Sequence, residues 1–225
     1  MGSITKQELD AAFVDVRKAY RLLYHYQKRV LDLMQFISDS LPFSFEAGHS
    51  RFSSPTPKDK RVDLGRWAWD WLNLYLYEFH FGTTKIDGKK ISFSIVLQSD
   101  TGFFDKEATA KTKIDVSKFV KPEISKTCLI FVAGYNHWNE EILACPNKYL
   151  SKDNTYVFNE VNEAIGKEKA MLLCAKSYDL SLFVDEESTL AQIDDFNLFC
   201  SAIGLAIKDM TVEVASSRSN NNDGL

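Results

Sequence analysis

The sequence predicts an α+β fold: a mostly antiparallel sheet of about four to five strands, packed by a long N-terminal helix and a C-terminal helix. Three patterns lead there. Apolar residues from Leu9 to Leu41 recur at steps of four and three, the signature of one helical face. Strand-length apolar or alternating runs fill the middle of the chain. A second helical stripe near the end takes in Leu190, Ile193, Phe196, Phe199, Cys200, Ile203 and Ile207. Together they describe one α+β domain over 1–214, followed by a disordered polar tail, 215–225. Within the domain, 1–41 is helix, 42–66 an irregular connection, and 67–210 the sheet with its remaining helices.

The first helix spans about Thr5 to Asp39. Thr5 and Glu8 have the spacing of a capping box, which satisfies two free backbone donors at a helix start. The stripe is Leu9, Phe13, Val16, Tyr20, Leu23, Val30, Met34, Ile37 and Leu41, with Gln27 interrupting it. Such a heptad-like stripe either lies across a sheet or pairs with another helix across a dimer. Tyr24 and Tyr26 widen it, which favours the sheet. Pro42 ends the helix, because the residue before proline avoids helical geometry. The connection that follows, with its two closely spaced prolines and five Lys or Arg, reads as a solvated loop.

Trp67 to Phe81 reads as a central strand. Trp67, Trp69, Trp71, Tyr75, Tyr77, Phe79 and Phe81 fall on odd positions and Leu72, Leu74 and Leu76 on even ones, which end in Glu78 and His80, so both faces require cover. Asp87-Gly88 marks a hairpin. A strict two-residue loop pairs Phe81 with Ser94, whereas the hydrophobic pattern pairs it with Ile91, so an irregular tip is expected. Residues 102–126 read as a loop, and Thr127–Tyr135 as a buried strand. A short helix before Pro146 comes next, and then a helix over Tyr156–Lys169 stopped by Gly166. Ala170–Val184 supplies one long or two short strands, with Leu180, Leu182 and Val184 on a half-exposed one. The last helix runs from about Ser188 to Met210.

Composition excludes more than it identifies. With 45% hydrophobic and 26% charged residues, the chain is an ordinary globular one. No apolar run approaches the ~20 residues of a membrane span. The start of the chain lacks the layout of a secretory signal and the serine or threonine of a myristoylation pattern. The net charge is +3 over 1–66, zero over 67–150 and −7 over 151–225. The acidic end would repel phosphates, which argues against nucleic acid and for a basic protein partner or simple solubility. Cys128, Cys145, Cys174 and Cys200 are widely spaced and contain no C-x-x-C, as reduced cysteines of a cytoplasmic protein do. Phosphate-binding loops, dinucleotide fingerprints, nucleophile elbows and H-E-x-x-H are absent from the sequence.

Five features are candidates for chemistry or binding. Asp100-Thr101-Gly102 resembles the D-T-G signature of aspartic proteases, in which paired aspartates activate water. Gln98 and Ser99 stand where that family has apolar residues, and Phe103 where it has a small one, so turn chemistry explains the motif. Glu78 and His80 lie two apart on a strand and share a face, as proton transfer or metal binding requires. Lys121–Lys126, "KPEISK", sits in an element order that resembles P-D…E-x-K nucleases, but Glu123 and Lys126 are one residue too far apart. Asp185, Glu186, Glu187, Asp194 and Asp195 form an acidic surface for a basic partner, or simply serve the positive end of a helix. Trp67, Trp69 and Trp71 could stack on a ligand.

The resulting expectation is a cytoplasmic interaction or regulatory protein without a catalytic centre, metal or cofactor, dimeric through its first helix. The alternative is a metal-dependent nuclease or hydrolase whose carboxylates converge in a cleft.

Overall fold

The computed structural model describes residues 4–52, 74–103, 117, 119–164 and 167–208, with side chains left undescribed at 161–164 and 167–169. The architecture is α+β: a six-stranded antiparallel sheet with helices from both ends of the chain against it. The elements are α1 (Lys6–Ser40), β1 (Ala47–Ser50), β2 (Leu76–Ile86), β3 (Lys89–Gln98), β4 (Cys128–Tyr135), α2 (Glu140–Ala144), β5 (Thr155–Ala164), β6 (Lys167–Asp179) and α3 (Glu186–Ser201). The strand order is β1-β2-β3-β4-β6-β5. The sheet thus has one or two strands more than the sequence pattern suggested.

Alternation divides the sheet into two faces. On the front, Phe79, Phe93, Ile95, Phe131, Cys174 and Tyr178 meet Val30, Met34 and Ile37 of α1 and Ile193, Phe196 and Cys200 of α3. On the back, Leu76, Val96, Ile130, Val132 and Leu173 are covered by Ile142 and Leu143 of α2, with Trp138, Tyr149 and Leu150 packed around them. Both long helices therefore lie on one face, and the short α2 segment covers the other. Arg29 ties α1 to the approach of α3 by donating from Nη2 to the carbonyls of Phe183 (2.7 Å) and Val184 (2.8 Å).

Several local expectations are corrected. The hairpin tip is regular: Asp87 and Gly88 both have positive φ (48° and 79°), and Ile86 pairs with Lys89. The irregularity lies in the strand, between His80 and Thr83, where Gly82 takes φ 68° and the register shifts by one. Without that bulge, Glu78 and His80 would exchange faces with their neighbours. Tyr156–Ala164 is strand β5, not helix, and it pairs with β6 from Thr155↔Lys176 to Ala164↔Lys167. Tyr156 and Phe158 pack on the back face, so cross-strand burial overrides the helical propensity of the Glu and Ala residues.

The half-exposed strand at Leu180–Val184 is a 3₁₀ turn, Leu180–Leu182, because the chain bends to bury Phe183. Helix α3 ends at Ser201 rather than near Met210. Gly204 (φ 75°) reverses the chain, and the Asn197 Oδ1 accepts N–H bonds from Ile207 (2.8 Å) and Lys208 (3.1 Å). Ile207 reaches the core from outside the helix. Cys174 and Cys200 form a disulfide between β6 and α3, with Cα atoms 6.2 Å apart, so the expectation of four reduced cysteines fails for these two. The polar tail lies outside the described residues.

Candidate functional site

Glu78 and His80 share the back face near the β1 edge of the sheet. The register sets His80 opposite Ser94 of β3, and Glu78 opposite His49 of β1. Arg51, two residues beyond His49, donates from Nε to Glu78 Oε2 (2.7 Å) and from Nη2 to the same oxygen. The Nη2 atom also lies 2.8 Å from Glu140 Oε2 on α2. Ser94 donates to the other oxygen, Glu78 Oε1, at 2.7 Å. Its hydroxyl hydrogen is thereby committed, so the 2.9 Å contact with His80 Nδ1 runs from ring N–H to Ser94 Oγ. That leaves Nε2 as the proton-accepting nitrogen of the neutral ring.

Glu78 is only 2% exposed and Ser94 is fully buried. A carboxylate so buried is tolerated because a cation and a hydroxyl satisfy it. The cluster can relay a proton from His80, but its evident work is to tie β1, β2, β3 and α2 together. Among the described residues, no group of three or more His, Cys, Asp or Glu is arranged to hold a metal ion.

The other sequence candidates are dispersed. The Asp100 Oδ1 accepts the Gly102 N–H at 2.7 Å, so this D-T-G closes its own turn. Asp185 is the N-cap of α3, and bonds to Ser188 hold its carboxyl below the ordinary value. Asp194 pairs with Lys208 at 2.5 Å. Asp195 accepts from Lys176 and from Tyr178, each at 2.6 Å. Its partial burial pushes the pKa up, but these bonds outweigh it and the net shift is downward. Of the five acidic residues, Glu186 and Glu187 stand in the exposed first turn of α3. Trp67, Trp69 and Trp71 lie outside the described residues. A polar cleft of about 340 Å³ includes Gln98, Lys126, Cys128, Asn147 and Asp179. Burial pushes the Cys128 thiol up to about 11.

Among the described residues, α1 carries a run of exposed apolar side chains. Its stripe is used in two ways. From Val30 onward it is core. From Lys6 to His25 every residue is exposed, including Leu9, Phe13, Val16, Tyr20 and Leu23. The capping box at Thr5 and Glu8 secures the free end. The first half-buried residue is Tyr26, whose hydroxyl shares a 2.8 Å hydrogen bond with Ser99.

A family model described as PM0109 matches residues 6–203, which takes in both the free half of α1 and the sheet. The chain belongs to the PM0109 family. It is 53% identical over 38 residues to PM0109 of Pasteurella multocida (strain Pm70), a protein described as uncharacterized. That match covers 17% of this chain and 19% of the Pasteurella protein. No solved structure matches.

Sequence reasoning reached Glu78 and His80 through their spacing, but did not connect Arg51, Ser94 or Glu140 with them. Ser94 carried a signal, as the polar residue between Phe93 and the apolar run Ile95–Leu97. Arg51 and Glu140 carried none, since only the sheet register and the placement of α2 bring them to Glu78.

Proposed function

We propose that this is an interaction protein: an α+β body that presents the first half of α1 as an arm for helix pairing. The carrying observation is the exposure of Leu9, Phe13, Val16, Tyr20 and Leu23 along one stripe. Scattered exposed apolar residues need no explanation, but a continuous stripe on a capped, projecting helix is what a docking surface looks like. Regulation of the partner is part of the same reading. The acidic patch for a basic partner is reduced to Glu186 and Glu187, because Asp185, Asp194 and Asp195 are engaged within the fold.

A metal-dependent hydrolase lacks an observation to carry it, since no metal-holding group occurs among the described residues. Likewise, no described helix is long and apolar enough to cross a membrane. A cytoplasmic setting rests on cysteines that read as reduced, and the Cys174–Cys200 bond removes that ground for two of the four. Thiol mass spectrometry on protein quenched in cells decides it: free Cys174 and Cys200 support the cytoplasm, and a bonded pair supports an oxidising compartment.

A photoreactive amino acid at Val16 in the full chain, expressed in its own host, tests the arm. A cross-linked species of defined mass is expected there, and none from the same residue at Lys18 on the polar side. Absence of an adduct at Val16 refutes the reading.

A further inference from the structure

The arm has its own sequence logic, independent of the body. Lys6 apart, its charges are ordered: Glu8, Asp10 and Asp15 come first, then Arg17, Lys18 and Arg21. At 1.5 Å per residue, the stretch from Lys6 to His25 reaches about 30 Å before Tyr26 meets the sheet.

We infer that the arm's occupant is a second copy of this chain, paired antiparallel about a two-fold axis between Val14 and Asp15. This rests on the arm being the contact surface, and it names the partner. In this register each residue n of the apolar stripe faces residue 29 − n of the other helix, and the flanking residues pair slightly offset from it, n with 27 − n on one flank and n with 31 − n on the other. Leu9 packs against the partner's Tyr20, and Phe13 against the partner's Val16, with the symmetric pairs completing four apolar layers. On one flank Asp10 meets the partner's Arg17, and Arg17 meets the partner's Asp10. On the other flank Ala12 faces the partner's Ala19, so two small residues allow close approach. A self-complementary patch of this kind is what a two-fold interface needs, and the flanking charges set the register.

The neighbouring registers fail. One heptad closer to the body sets Arg17 against its own copy and drives the partner's Lys6 onto Val30, which is fully buried in the core. One heptad farther sets Asp10 against its own copy and leaves Tyr20 and Leu23 uncovered. A parallel pair places both acidic ends together and gives Arg17 an alanine neighbour. In the chosen register the partner's Thr5 arrives opposite Tyr24, just short of Tyr26. The exposed length of α1 is therefore the length that this pairing covers, with the two bodies at opposite ends of the pair.

The test uses the full chain in sedimentation at several concentrations. Wild type is expected to form a dimer. Asp10→Arg or Arg17→Asp alone turns both flank pairs repulsive and should weaken dimerisation about tenfold or more. The double variant, D10R with R17D, should recover most of the wild-type affinity. A wild type that stays monomeric throughout overturns self-pairing. If the Val16 photo-adduct then contains another protein, the arm reading survives; if there is no adduct, both fall. A dimer indifferent to the single variants, or not rescued by the double, overturns the register.

Discussion

The two halves of α1 carry one stripe and meet two fates. In the second half, Val30, Met34 and Ile37 sit against Phe79, Phe93 and their neighbours and are core. In the first half, Phe13, Val16 and Tyr20 continue the same spacing into solvent. Periodicity shows which face of a helix is apolar; what covers that face depends on where the sheet stops. The comparison separates stability from assembly, because a change in one half should act on folding and in the other on association.

Substitutions at matched positions break or sharpen that division. The largest effect is expected from Ile37→Asp. Ile37 is fully buried, so the change leaves an unpaired charge in the core and costs more than about 4 kcal/mol. Loss of a cooperative thermal transition would show it. Next comes Arg51→Ala, which strands the buried Glu78 carboxylate on the far face of the sheet. About 3 kcal/mol of destabilisation is expected in urea unfolding, because removal of one partner leaves the other charge uncompensated.

Asp195→Asn is expected to cost well under 1 kcal/mol at neutral pH, since its pair with Lys176 is half open to solvent. Because the folded carboxyl lies below its ordinary value of 3.8, its contribution is present above that value and disappears as pH falls through the folded pKa. The difference between variant and wild type should therefore close in acid, below the ordinary aspartate range. The smallest effect on the body is expected from Phe13→Asp: less than about 0.5 kcal/mol in dilute solution, with dimerisation abolished. Equal destabilisation by Ile37→Asp and Phe13→Asp would erase the distinction between the halves.

Much of this fold was legible in the sequence because local chemistry and burial agree. Thr5 and Glu8 cap α1 as their spacing implies, and Asp87-Gly88 turns the hairpin. The alternation of Tyr77, Phe79 and Phe81 against Leu76, Glu78 and His80 correctly anticipated a strand covered on both faces, but the expected strand was too long at its start, because Leu74 takes φ 58° in a turn and β2 begins at Leu76. What remained hidden is what only long-range pairing decides. Strand β5 is rich in Asn and Glu and becomes a strand because β6 pairs with it. Cys174 and Cys200 carry no pairing signal at their separation of 26 residues; α3 packing over β6 joins them. In the polar cluster, two of the principal residues share a strand and can be read from spacing, whereas Arg51, Ser94 and Glu140 arrive from three other places. The extent of the arm was hidden for the same reason, since the stripe does not change where the body begins.

Hydrogen exchange along α1 at low and high protein concentration tests self-pairing most directly. Antiparallel pairing should slow exchange of the amides between Lys6 and His25 as concentration rises, while those from Val30 to Ser40 stay equally protected at both. Exchange in the first half that is the same at both concentrations, or protection that changes in the sheet instead, would contradict it.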